Sequence, residues 1–583
     1  MGVLNILEER EASIKKKIVD IYGVEKSDKI LHEIELLMGK FKSENRMKNI
    51  GNKWVDEKDI MMITYGDQIQ EEGKNHLKTL HDFSNKYLKE IISSLHILPF
   101  YPYSSDDGFS VIDYYKVNPE LGEWSDVEKL SKDYELMFDA VINHISAKSE
   151  WFKEYLAGNP DYENFFVEAD VNADYSKVTR PRAVPLLTKF DTLKGEKYIW
   201  TTFSEDQVDL NYANEKVLLE IINLLLFYVS KGARLLRLDA IGYMWKRIGT
   251  TCIHLDEVHK IIQLIREVFE IVTPETILIT ETNVPHKDNI SYFGDGQNEA
   301  QMVYQFTMPP LTLNAFHAGS AKHLTKWAQT IEPVSDNACF FNFLASHDGI
   351  GVVPAKGYLT DIEIEKMAEK VKENGGFVSY KNNGDGSKSP YELNINYFDA
   401  LFEKDDDLET NIDRYIAAQS ILLAFAGVPG IYVHSLLGSR NYLQGVKDTG
   451  RNRSINREKL KVRELAKELV DDNSLRSKIL SRYNSLIKIR IKQKAFHPNA
   501  SQTTLKVNEN IFSFVRTSIG GGENIICLVN VSRGKQEIII DLEKNSIQDT
   551  SFNDIISGEE MKVNNNKIYI SLKPYQVMWM KNK

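Results

Sequence analysis

At 583 residues, 42% of them hydrophobic, 10% aromatic and 27% charged, the chain has the make-up of a globular protein with a large core, which excludes a disordered or low-complexity protein. Lysines and arginines number 72 against 83 aspartates and glutamates, and the resulting formal charge of −11 gives no basic footprint for nucleic acid and no polybasic patch for a membrane. A small anion is still an admissible ligand, because a few positioned guanidiniums hold a phosphate whatever the net charge. Cys252, Cys339 and Cys527 lack the number and spacing for a disulfide framework or a zinc knuckle, so no cysteine-bound metal is expected and a reducing cytoplasm is. The opening residues meet a charge at Glu8 with no apolar leader, and the longest apolar stretch, 221–229, is too short to span a bilayer.

In chain order, residues 1–55 read as a helical extension, with Ile14, Ile18, Ile21, Ile30, Ile34 and Leu37 recurring at helical spacing. The pattern then changes to short β-branched or aliphatic runs at 60–64, 95–100, 136–142, 233–238, 276–280, 302–306, 340–345 and 431–433, separated by amphipathic stretches such as 215–229 and 255–269. This α/β alternation predicts a (β/α)₈ TIM barrel over 56–495. Two connections are too long to be simple. Residues 146–206 follow the third strand and 351–399 the seventh, the latter with a loop signal at 382–386; both are expected to be inserted loop domains at the barrel's functional end. From 496 to 583 the runs 511–516, 524–531, 536–542 and 569–580, with Gly520, Gly521 and Gly522 as a hairpin tip, predict a C-terminal β-sandwich domain with a structural or homodimer-forming role.

Catalytic groups of such a barrel belong just past its strand ends. Asp139 and the pair Asn143-His144 flank the third strand's end, Arg237 and Asp239 mark the fourth, Glu281 the fifth and His347-Asp348 the seventh. Three carboxylates at one mouth suit glycoside chemistry, in which one attacks the anomeric carbon and a second, kept protonated, donates to the leaving oxygen. Arg237, two residues before Asp239 on a strand, shares its side and is expected to keep it ionised. Trp124, Trp151 and Trp200 are candidate sugar platforms, although core packing is the commoner fate of such residues. His254 and His259 are read as surface or packing residues.

These residues resemble the α-amylase superfamily, glycoside hydrolase family 13, through Asp139 to His144, Arg237-Leu238-Asp239-Ala240, Ile279-Thr280-Glu281-Thr282 and Ser346-His347-Asp348. Further matches at 96–100, 106–109, 180–182, 207–209, 347–351 and 430–433 resemble its sucrose phosphorylase subfamily. The resemblance implies Asp239 as nucleophile, Glu281 as acid/base and Asp348 as transition-state stabiliser. It implies a donor glucose site shaped by Asp106, Phe109, His144, Gln207, Arg237 and His347. Phosphate contacts are implied at Arg182 and Tyr391, with Arg453 or Arg451 as a further contact, the register there being open. Inorganic phosphate is then a co-substrate, no cofactor is implied, and the partners are small molecules. A forked guanidinium favours phosphate over water at the glucosyl-enzyme, configuration is retained, and the two key carboxyls should lie about 5–5.5 Å apart.

The departure from sucrose phosphorylases falls at 386–394. Ser389 stands where they carry Asp, and Glu392 where they carry Gln; with Lys388 nearby, the acceptor side is expected to be more positive and to favour an anion such as glycerate, with Lys388 and Glu392 as candidate contacts to it. The extension, the run 380–393 and Glu281-Thr282-Asn283 look like the glucosylglycerate phosphorylase branch. Alternatives are phosphorolysis of sucrose, sucrose 6′-phosphate or glucosylglycerol, and a retaining α-glucosidase. Relatives in the superfamily carry a structural calcium near the asparagine matching Asn143, whereas sucrose phosphorylases do without it.

Overall fold

Eight parallel strands close a barrel in this computed structural model, which describes residues 2–45, 54–182, 184–383, 387–545, 547–549 and 551–583. They are β1 (Met61–Thr64), β2 (Ser94–Ile97), β3 (Glu135–Ala140), β4 (Ala233–Leu238), β5 (Ile277–Thr280), β6 (Met302–Tyr304), β7 (Cys339–Phe343) and β8 (Val428–Tyr432), with β1 bonded to both β2 and β8. Nearly every strand residue is buried, as a sheet covered on both faces requires, which explains why the strands read as continuous apolar runs rather than alternating ones.

The N-terminal segment folds as a helical hairpin, α1 (Gly2–Tyr22) and α2 (Val24–Glu44), turning at Gly23, whose φ of 85° suits glycine. Ile14, Ile18, Ile30 and Ile34 are fully buried against two barrel helices, α3 (Glu215–Ser230) and α4 (Asp256–Val272), which flank β4 in the chain. Lys17 bridges to Glu267 at 2.8 Å and Lys26 to Glu215 at 2.8 Å, and Arg10 pairs with Glu270. The part of the expected extension at 46–53 lies outside the described residues.

After β3 the chain forms a neck of two antiparallel strands, His144–Ser146 and Gln207–Asp209, beyond which stands the hairpin Leu187–Thr192 with Gly195–Trp200. After β7, Ile350–Gly351, Phe377–Asn382 and Lys388–Asn394 make a small antiparallel sheet beside the helix Asp361–Glu373, which opens with a Thr360–Glu363 capping box. Residues 384–386 of the expected loop signal lie outside the described residues.

The C-terminal domain pairs a six-stranded sheet with a three-stranded one around its own apolar core. The glycines at 520–522 do form the turn between Ile511–Thr517 and Asn524–Asn530. One boundary differs: the single run expected over 569–580 is two strands, Lys567–Leu572 and Val577–Asn582, in different sheets. Pro574 cannot donate to a ladder and Tyr575 sits at φ 55°, so the chain turns there. Buried Arg516 ties this domain to the barrel by donating to the carbonyl of Ala424 (2.7 Å), and it also donates to that of His497 at the domain's own start (2.6 Å).

Candidate active site

Asp239 follows the last residue of β4, and its N–H bonds the Ala140 carbonyl at the end of β3 (3.1 Å). The next residue, Ala240, is held at φ 49°, an uncommon conformation for a residue with a side chain. In that conformation its N–H donates to Glu281 Oε2 at 3.0 Å, so the Glu281 carboxylate is docked one residue from Asp239. Arg237 points to the same side, as strand alternation requires. Its Nη1 contacts Asp139 and Asp239 Oδ1 (2.9 Å), and its Nη2 is 3.7 Å from Glu281 Oε1.

Burial raises the proton affinity of Asp239, opposed by Arg237 and reinforced by Glu281, Asp139 and Asp348; burial likewise raises that of Glu281. The two carboxyls therefore titrate as one system. Because Arg237 hydrogen-bonds Asp239 and only approaches Glu281, the geometry favours the charge on Asp239 and the shared proton on Glu281. Deeper still, Asp139 accepts from His96 Nε2 (2.7 Å), and the Arg237 charge overcomes burial to hold it near about 2.

Asp348 follows β7 and faces two guanidiniums, with Arg453 Nη1 at 2.5 Å and Arg457 Nη2 at 3.7 Å, and the imidazole of His347, Nε2 at 3.5 Å. They outweigh its burial and keep it ionised. His347 itself is neutral, driven to about 3 by burial, and its ring stacks on Phe109 at 4.9 Å. His144 Nε2 donates to the Phe109 carbonyl (3.1 Å), as does Gln207 Nε2 (3.1 Å), so one backbone carbonyl orients two side chains. Asp106 and Asp107 are both at positive φ, 54° and 50°. Asp106 accepts from Arg182 Nη2 at 3.2 Å, and the guanidiniums of Arg182, Arg453 and Arg457 bring it to about 2 against its burial.

These groups line a cavity of about 810 Å³, mouth included. Of the residues expected from sequence, Asp106, Phe109, His144, Arg182, Gln207, Asp239, Glu281, His347, Asp348, Tyr391 and Arg453 line it, while Arg237 lies beneath. A wider outer cavity shares the wall of Asp106, Pro181, Arg182, Tyr391 and Arg453 and adds Glu392, Arg451 and Arg457. Of the two arginines between which the sequence left the register open, Arg453 lines the inner cavity and Arg451 only the outer one.

Two expectations are corrected. Lys388 is exposed and lines neither cavity; it sits four residues from Glu392 on an extended strand, roughly 13 Å along. Nor is the acceptor side simply positive, because Arg182 is paired with Asp106, Arg453 with Glu392 and Asp348, and Arg457 with Asp107. Trp124, Trp151 and Trp200 pack against other aromatics and none lines the inner cavity. The wall also holds Phe203 and Tyr243, which the sequence reading missed, and Asn283, which it noted only within the Glu281-Thr282-Asn283 motif and gave no place in the site. Tyr243 and Asn283 fall within four residues of Asp239 and Glu281, the one signal that would have found them. It also missed Lys246, whose ammonium lies 2.6 Å from Asp209 Oδ2 and donates to Asn143 Oδ1 at 3.1 Å, filling the position beside Asn143 with a built-in cation.

Known proteins resemble this chain over most of its length. Residues 84–369 match the family "Alpha amylase, catalytic domain", and 502–579 match "Maltogenic Amylase, C-terminal domain". A glucosylglycerate phosphorylase of Spirochaeta thermophila is 46% identical over 96% of this chain and 97% of its own, and that of Escherichia coli is 45% identical over 97% and 100%. A sucrose phosphorylase of Streptococcus mutans is 30% identical over 70% of this chain and 83% of its own. Among solved structures, the sucrose 6F-phosphate phosphorylase from Thermoanaerobacter thermosaccharolyticum superposes with a TM-score of 0.73 at 23% identity, covering 88% of this chain and all of that one.

Proposed function

Because the chain belongs to the α-amylase superfamily, among the glucosylglycerate phosphorylases, and is a retaining glycoside phosphorylase that yields glucose 1-phosphate, we propose that its glucosyl donor is 2-O-α-D-glucosylglycerate and that it releases glycerate. In this reading Asp239 attacks the anomeric carbon while Glu281 gives its proton to the departing glycerate oxygen. Phosphate then enters on the face that glycerate left, Glu281 takes back a proton, and α-D-glucose 1-phosphate forms with configuration retained. Asp348 stabilises the positive charge that develops on the sugar, and Arg182, Arg453 and Tyr391 receive the phosphate. Asp106, Phe109, His144, Gln207 and His347 hold the glucose.

One observation carries the reading: the wall that bears Asp239 and Glu281 continues into Arg182 and Arg453, forked cations that a hydrolase using water has no need of. The three cysteines, all buried and free, support a reducing cytoplasm as its setting. No helix among the described residues is long and apolar enough to cross a membrane. We assign the C-terminal domain a homodimer-forming or structural role, which the mass in solution decides. The test of the substrate is synthesis: glucose 1-phosphate supplied with glycerate, glycerol, fructose or fructose 6-phosphate, with phosphate release measured. Glycerate is expected to support release. Release with fructose and none with glycerate would replace this reading with sucrose phosphorolysis.

A further inference from the structure

Glu392 was expected to touch the acceptor, yet its carboxylate is turned elsewhere. Its side chain is only 4% exposed, and both oxygens are taken by one guanidinium: Arg453 Nε donates to Oε1 at 3.0 Å and Nη2 to Oε2 at 2.6 Å. Among the described residues no other cation is recorded within 4 Å of it. Arg453's remaining nitrogen, Nη1, lies 2.5 Å from Asp348 Oδ1 and borders the inner cavity. Gly349, next to Asp348, makes this approach possible, because a Cβ there would meet Glu392 Cγ at 2.6 Å and the Leu393 carbonyl at 2.7 Å.

We propose that Glu392 is a positioning residue: it grips the Nε–Nη2 edge of Arg453 so that the Nη1 edge stays presented to the anion arriving at the glucosyl-enzyme. The idea rests on the reading that phosphate and the acceptor meet Asp239 in this cavity. A bidentate, charge-assisted pair fixes a guanidinium that would otherwise sample many rotamers. The incoming anion then exchanges with Asp348 for one nitrogen instead of having to order the whole side chain. A neutral amide at 392 accepts through one oxygen only, so it would leave Arg453 charged but loosely held.

The test compares wild type, Glu392→Gln, Arg453→Lys and the double variant, with glucose 1-phosphate as the sole donor. Exchange of labelled phosphate into glucose 1-phosphate is measured against glucose released to water, a ratio that needs no acceptor. Glu392→Gln is expected to lower that ratio about tenfold and to raise the KM for phosphate, both measured well below the variant's own thermal midpoint. Arg453→Lys keeps the charge and loses the fork, and in that background Glu392→Gln should add little. An unchanged ratio in Glu392→Gln, or losses that multiply in the double variant, overturns the proposal. A wild type that exchanges phosphate but ignores glycerate would defeat the acceptor reading while the ratio still decides the role of Glu392.

Discussion

Arg237 lies within 4 Å of Asp139, Asp239 and Glu281, so a single guanidinium opposes the burial that raises the proton affinity of the carboxyls on the cavity floor. The assignment of the proton to Glu281 has a kinetic consequence. Glu281→Gln should lower kcat for glucosylglycerate by about 10²–10⁴-fold, the usual worth of a general acid. Glucosylation by glucose 1-phosphate should suffer less, because phosphate leaves without needing that proton; parallel kinetics with the two donors check the difference. Arg237 and Asp239 were legible in sequence because a strand's period of two puts both on one side. Tyr243 and Asn283 were not, because loops past strand ends carry no periodicity to read. Lys388 misled for a related reason: proximity in sequence to Glu392 says nothing of the distance an extended strand puts between them.

At the level of elements, all eight barrel strands were visible as apolar runs, since a doubly covered strand needs apolar residues on both faces. What the runs did not reveal was which elements embrace which. The α1–α2 hairpin had a readable apolar face, but nothing in it announced α3 and α4 as its partners. Those helices flank β4, whose end carries Asp239, so the hairpin braces the scaffold behind the site. Ile18 is fully buried in that contact. Ile18→Ala is expected to cost about 2–5 kcal/mol of stability, read by denaturant titration, with kcat per folded molecule unchanged.

For the whole molecule, acid is the sensitive direction. His347 and His434 are buried and neutral, each driven by burial to about 3. Unfolded histidines take up protons near pH 6.5, so between about 6.5 and 3 unfolding binds protons and stability falls as pH falls. Asp106 and Asp139, held near about 2, act in the same sense lower down: their contribution is present above the unfolded value near 3.9 and disappears as pH drops through 2. The unfolding free energy should therefore fall from pH 7 to pH 5 by up to about 1.4 kcal/mol per pH unit for each histidine, and the thermal midpoint should decline with it. His434→Gln should flatten that slope by one histidine's share, which calorimetry across pH would show.

The ammonium of Lys246 between Asn143 and Asp209 carries a further consequence for the molecule in its surroundings. A captured ion stabilises by mass action, in proportion to the logarithm of its free concentration, and its benefit vanishes when the supply does. A charge covalently joined to the backbone obeys no such isotherm. It is present at a fixed local concentration from the moment the loop after β4 folds, so the positive charge between Asn143 and Asp209 is carried by the chain itself.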